Sequence, residues 1–273
     1  MTSINRREPM LLLHGVMGSA AMWREVTPQL EDDFDLLVPN ALGHAGGRLG
    51  DSAPRPTTIR AIVDDFERSL NERGWSQAHL VGNSMGGWAA LELARRGRAL
   101  SVCALSPAGM WDGDAISSTS TDSETRRKLR SARRRGRLFR PTLPLALKNA
   151  RIRRFALADQ SVHGDRVPAR AIVQVVDDML ACTVAEDLLA TDESFALLDP
   201  LPCPVLVAWS ARDRIFPVKH FEPRARQMLP AAQFRRLEDC GHVPMFDNPS
   251  LVVQTIRDAT QLPQVHPIKG DAQ

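Results

Sequence analysis

Gly82-Asn83-Ser84-Met85-Gly86 is the stretch on which the reading of this 273-residue chain turns. It follows an apolar run, Ala78-His79-Leu80-Val81, and opens directly onto Met85-Gly86-Gly87-Trp88-Ala89-Ala90-Leu91, a run of helical character. A G-x-S-x-G pattern in that setting describes a strand that turns sharply into a helix with serine at the apex. Side chains two positions before and two after the serine would collide across so tight a turn, which is the physical need for Gly82 and Gly86. The serine is held in a strained backbone conformation, its hydroxyl clear of the main chain and near the positive end of the helix. Other glycine-rich turns of this kind carry G-x-G-x-x-G or Gly-Lys-Ser/Thr, and the chain has neither.

Outward from the turn, strands and helices alternate. Residues 10–13 (MLLL) and 34–39 (FDLLVP) read as strands, with a helix-like stretch at 19–30 between them. Residues 57–73 read as a helix, because Ile59, Ile62, Val63, Phe66 and Leu70 fall on one face, and Gly74 ends it. A strand at 78–81, a helix at 85–96 and a strand at 100–105 follow. The alternation stops at Pro107 and resumes with 204–209 (PVLVAW), a helix near 218–229, a strand near 233–237 and a last helix at 250–260. Near-continuous apolar strands alternating with helices predict a mostly parallel sheet covered on both faces.

Roughly 95 residues thus separate two consecutive sheet strands, too many for a structureless loop. Within them, the Ser/Thr-rich 117–125 reads as loop, and 124–140, 145–157 and 168–182 read as helices. The last has Ile172, Val173, Val176, Met179 and Leu180 on one face. The expected organisation is an α/β core formed by 1–109 and 196–273, with a helical cap, 110–195, on the carboxyl edge of the sheet. In an open parallel sheet that edge is where ligands bind.

A serine hydroxyl needs a base within hydrogen-bonding reach, itself oriented by an acid. His242, in Cys240-Gly241-His242-Val243-Pro244, follows the last strand and so leaves the sheet on the same edge as Ser84. His14 reads as shaping the exit of the first strand, His44 as organising its loop, and His79 stands at a strand start on the opposite edge. Asp213 follows PVLVAW, again on the carboxyl edge; Asp239 competes for the role but lies only three residues from His242. The order Ser84, Asp213, His242 is that of nucleophile, acid and base in one particular fold.

With these residues in place the chain resembles the α/β-hydrolase superfamily over everything but the cap. The resemblance rests on Leu13-His14-Gly15 with Val16-Met17-Gly18-Ser19, Gly43-His44, the Gly82 to Gly86 elbow, Asp213 with Pro217, and Gly241-His242-Val243-Pro244. It implies an oxyanion hole from the backbone amides of Val16 and Met85, and it implies no metal or cofactor. Members of the superfamily have two strands before the His-Gly loop, whereas nine residues precede Met10; a shortened, all-parallel sheet of six strands is expected.

The resemblance also bears on substrate. Epoxide hydrolases and haloalkane dehalogenases of this fold place Asp at the elbow, so Ser84 directs the reading to an acyl-Ser84 intermediate. A carboxylic ester or thioester of a small molecule comes first. Hydrolases that cleave C–C bonds of aromatic ring-fission products share the Gly82 to Gly87 elbow but carry Trp where this chain has Val243. A ligand-binding homologue without activity is the third reading.

Composition limits the rest. At 43% hydrophobic and 25% charged residues the chain is globular, and 17 Gly and 19 Pro without a period exclude a fibrous protein. The apolar run before His14 is too short for a signal sequence or membrane span, and four scattered cysteines lack the spacing of a zinc or redox site, so a cytoplasmic protein with reduced, buried thiols is expected. Net charge is +3, yet residues 124–154 hold 13 Arg or Lys against one acid, Glu124, leaving about −9 elsewhere. That basic stretch suits an acidic carrier protein or an anionic membrane surface. In charge alone it resembles the cap of pimeloyl-carrier-protein methyl ester esterases. Nucleic acid is disfavoured, since the run has one aromatic, Phe139, and no binding module. Oligomeric state is left open.

Overall fold

A computed structural model describes residues 7–48, 55–111 and 120–264. Six strands, β1 (Glu8–Leu13), β2 (Phe34–Leu37), β3 (Ala78–Asn83), β4 (Ala99–Leu105), β5 (Val205–Ser210) and β6 (Gln233–Leu237), form one sheet in the order β2-β1-β3-β4-β5-β6. Every neighbouring pair is parallel. The chain winds outward from β1 to β2, then from β3 in the other direction, so the reversal lies between β1 and β3, where a ligand crevice is expected. Register aligns the exits: Leu13 pairs with Gly82, Asn83 with Leu105, and Leu105 with Ala208.

Alternate side chains feed two cores. Leu11, Leu13, Leu80, Val102, Val207 and Trp209 pack on one face with helices α1 (Ile59–Glu72), α2 (Met85–Arg95) and α8 (Val218–Met228). Met10, Leu12, Val81, Cys103, Leu206 and Ala208 pack on the other with Trp23, Val26 and helix α10 (Pro249–Thr260). Burying both faces is what makes the inner strands β3, β4 and β5 so largely apolar, whereas the edge strand β6 carries Gln233, Arg235 and Arg236.

Between β4 and β5 lie α3 (Ser120–Phe139), α4 (Leu143–Ala146), α5 (Ala150–Ala156), α6 (Ala169–Ala181) and α7 (Ala185–Leu189). Leu147, Leu157, Val167, Ala171 and Ile172 give this insert a small core of its own.

Several local expectations are corrected. The 19–30 stretch is two short 3-10 turns, Ala20–Trp23 and Thr27–Gln29, because Pro28 interrupts it. Of the expected 117–125 loop, residues from Ser120 are helical, while 117–119 lie outside the described residues. The 145–157 helix is broken into α4 and α5, with the Asn149 side chain capping the second at Arg151 N, 2.9 Å. On α6, Asp178 is buried, and Val173, Val176 and Leu180 are only partly covered. Helices α7 and α9 (Pro244–Asp247), each of one turn, carry no periodic signal in the sequence.

Candidate active site

Ser84 joins β3 to α2 with φ 57° and ψ −119°, a backbone state costing on the order of 1–3 kcal/mol that only surrounding structure can hold. A Cβ on Gly82 would lie 2.0 Å from the Gly86 carbonyl oxygen, and one on Gly86 would lie 2.2 Å from that of Leu13. Both obstacles are backbone, so the sharp turn requires glycine at both positions. The turn is held on either side: Ser84 N donates to Leu105 O, 3.0 Å, while Ser84 O accepts from Trp88 N and Ala108 N.

Across the same edge, Asp213 and His242 meet. Their contact runs from His242 Nδ1 to Asp213 Oδ2, 2.8 Å. The other carboxylate oxygen accepts from Ile215 N and Phe216 N, each at 2.8 Å, which leaves the Asp213 side chain fully buried and immobilised. With Nδ1 occupied, Nε2 is the imidazole nitrogen free to exchange a proton. Phe216 lies edge-on to the imidazole, centroids 5.1 Å apart. Asp239 is exposed and bonds His163 Nε2 at 2.6 Å instead of His242, and this contact holds its carboxyl below the usual range.

Ser84 and His242 line one cavity of about 130 Å³, room for about four waters at roughly 30 Å³ each. No hydrogen bond joins the Ser84 hydroxyl to the imidazole in this arrangement; such contacts commonly tighten only around bound substrate. Val16 and Met85 line the cavity beside Ser84. The Val16 amide has no backbone acceptor among the described residues, and that of Met85, opening α2, has no intrahelical one. Trp88, Trp111 and Phe216 continue the wall toward His242, with Leu129, Ala132, Met179 and Leu188 closing it from the insert.

Two buried histidines shape the Val16 loop. His14 Nδ1 donates to Gly15 O, 2.8 Å, and Nε2 accepts from Ala41 N, 3.0 Å. Burial lowers its pKa to about 4 and that of the neighbouring His44 to about 3, so both are neutral. His79 stands on the far edge, bonded to Ser101.

Three side chains escaped the sequence reading. Asn83, fully buried, donates from Nδ2 to Leu105 O, 3.1 Å, and to His242 O, 2.9 Å, and so ties the elbow to the histidine loop. Asp247 accepts from Gly241 N at 2.7 Å and from Ser161 Oγ at 2.6 Å, binding that loop to the insert. Asp178 lines the cavity, accepting from Ser19 Oγ at 2.5 Å and Gln174 Nε2 at 2.7 Å. Among the described residues Arg126 is the one Arg or Lys on the cavity wall, and it donates to Thr191 O, 3.0 Å. Among the described residues, no three His, Cys, Asp or Glu side chains converge as a metal site would need.

A model of the alpha/beta hydrolase family matches residues 10–255. The chain belongs to that family. An epoxide hydrolase of Mycobacterium tuberculosis is 32% identical to this alpha/beta hydrolase over 199 residues, covering 71% of this chain and 91% of that one. A pimeloyl-[acyl-carrier protein] methyl ester esterase of Aromatoleum aromaticum is 28% identical, covering 93% and 99%. The structure of a thermophilic esterase from Thermogutta terrifontis superposes with a TM-score of 0.66 at 25% identity, covering 93% and 89%. Hydrolysis is the activity these relatives support for the alpha/beta hydrolase described here.

Proposed function

We propose that the protein is a serine hydrolase that cleaves a small-molecule carboxylic ester or thioester through an acyl-Ser84 intermediate. The observation that carries this reading is the buried Asp213–His242 pair opening onto the cavity that also holds the strained Ser84. His242 Nε2 takes the Ser84 proton as Oγ attacks the acyl carbon, and Asp213 holds the tautomer and stabilises the imidazolium. The amides of Val16 and Met85 receive the oxyanion, a contribution of roughly 3–4 kcal/mol for each donor. His242 returns its proton to the leaving alcohol or thiol, then draws one from the water that releases the acid. Trp88, Trp111 and Phe216 wall the cavity in which both steps take place. We assign the helices between β4 and β5 to a cap over the sheet edge, and the four unpaired, buried cysteines fit a reducing cytoplasm.

The epoxide hydrolase relative does not redirect this proposal, because serine at the elbow leads to an acyl-enzyme. Ser84→Ala, which keeps the side chain small at φ 57°, is expected to abolish p-nitrophenyl ester turnover and fluorophosphonate labelling while leaving the circular dichroism unchanged. Retained turnover would overturn the assignment. An elbow shared with C–C hydrolases, Gly82 to Gly87, keeps that reading second. Preference for a vinylogous diketone over acyl esters would put it first.

A further inference from the structure

Five of the six large apolar side chains that stand exposed among the described residues fall in one short stretch of the insert, and Leu138, Leu145 and Phe155 are 71%, 70% and 79% accessible. Exposed cations are interleaved with them. The side chains of Arg134, Arg137, Lys148, Arg151 and Arg154 have no ion pair or hydrogen-bond partner among the described residues, whereas Arg140 pairs with Asp177 and Arg130 with Glu186.

Helix geometry places these groups together on the outer side. On α3, a Cβ at Gly136 would lie 2.6 Å from Met179 Cε, so that side packs against α6. At about 100° per residue, Arg134 and Leu138 fall on the opposite side, with Arg137 on the flank. On α5, Arg153 turns inward and donates to the carbonyls of Leu147 and Asp165, at 2.9 and 2.7 Å. Arg151, Ile152, Arg154 and Phe155 then fan over an arc of roughly 160° facing away. The insert's own core is already filled by Leu147, Leu157 and Ile172, so folding does not explain the exposed set.

We propose that this face of the insert docks on an anionic lipid surface. Helices that present long apolar side chains among unpaired Arg and Lys suit the headgroup boundary, where the apolar groups enter the acyl region and the cations meet lipid phosphates. An acidic protein partner would need the charge but not the exposed leucines and phenylalanines. A second copy would set cation against cation. The same insert walls the cavity through Leu129 and Met179, which puts the lipid surface beside the route to Ser84. No helix among the described residues is long and apolar enough to cross a membrane, so the contact is peripheral. The inference stands apart from the hydrolase reading.

The test is sedimentation of the full chain carrying Ser84→Ala with vesicles of phosphatidylcholine alone or mixed with phosphatidylglycerol, so that turnover plays no part. Each basic residue near such a surface contributes about fivefold to partitioning, so binding to the mixed vesicles is expected at least about tenfold tighter, weakening with salt. Leu138→Ser with Leu145→Ser and Phe155→Ser should lower that partitioning at least about tenfold. Arg151→Gln with Arg154→Gln should lower it and reduce the preference for anionic lipid. In the Ser84→Ala background both variants should melt as the parent does, and without Ser84→Ala both should hydrolyse a soluble ester normally. Equal binding to both vesicle types, or binding that survives the three apolar substitutions, overturns the proposal. So does capture by an acidic acyl carrier protein, with no vesicle binding, that the apolar substitutions leave unchanged.

Discussion

Replacing Asn83 by Asp changes almost no volume and reverses the polarity of one buried contact. Asn83 Nδ2 serves two carbonyl oxygens, those of Leu105 and His242, in a site with no solvent exposure. An aspartate there is fully buried, has no donor and faces both oxygens, so its folded pKa must lie far above about 3.9. The unfolded chain sheds the proton above that value while the folded chain retains it. Stability of the variant is therefore greatest below about pH 3.9 and falls as pH rises toward the folded pKa, by about 1.4 kcal/mol per unit. That amounts to about 1.5 kcal/mol at pH 5 and about 4 kcal/mol at pH 7. One O–H in place of an NH₂ also removes one hydrogen bond, and since Leu105 O keeps the Ser84 amide this adds only about 0.5–1.5 kcal/mol at every pH. Urea unfolding followed by circular dichroism, with the unsubstituted chain subtracted at each pH, measures both parts. A deficit independent of pH, or one below about 1 kcal/mol at pH 8, would refute the assignment of Asn83 as a buried double donor.

Asp213→Asn keeps an oxygen for the Ile215 and Phe216 amides but removes the charge behind the imidazole, and kcat on a p-nitrophenyl ester should fall on the order of 10⁴-fold; a loss under tenfold would remove Asp213 from the mechanism. Buried His14 and His44, lowered to about 4 and about 3, stay neutral in the fold while the unfolded chain takes up protons below about pH 6.5, so stability is full above that pH and drops by about 4 kcal/mol between pH 7 and 5. His44→Leu should halve that slope in urea titrations, and an unchanged slope would clear His44. Burial pushes the thiols of Cys103, Cys203 and Cys240 up to about 12 and that of Cys182 up to about 11, so Ellman's reagent should find four thiols in guanidinium and none in the native chain at pH 8; rapid native labelling of any one would contradict its burial.

Much of the sheet was legible because its signal is local. A strand buried on both faces must be apolar throughout, and a turn as tight as that at Ser84 must have glycine on either side; both requirements can be read within a dozen residues. The 3-10 turns around Trp23 and the break between α4 and α5 were not, because Pro28 and the Asn149 cap act against an otherwise helical pattern. Asn83, Asp178 and Asp247 were illegible for another reason. Asn83 reaches a carbonyl 159 positions away, Asp178 takes its proton donor from the same distance, and Asp247 bonds residues 84 to 86 positions back. Nothing in their own neighbourhoods marks them, so only the folded arrangement reveals what they do.

Those long-range contacts share a design. Four loops on the carboxyl edge are anchored to the insert as well as to the sheet. Ser19, beyond the Val16 loop, bonds Asp178, and Gly43 O accepts from Thr183 N at 2.8 Å. The Asp213 loop receives Thr125 Oγ1 on Ile215 O at 2.9 Å, and Val243 N, beside His242, donates to Gln160 O at 2.8 Å. Side chains that shape the cavity and backbone that aims the reacting groups are thus parts of one hydrogen-bonded frame. Changes in the insert made to alter substrate preference must then move the loops carrying Asp213 and His242, and KM and kcat would shift together. The exposed Leu138, Leu145 and Phe155 point to solvent and are not members of that frame, which leaves the outer face of the insert free to meet a surface without disturbing the chemistry beneath it.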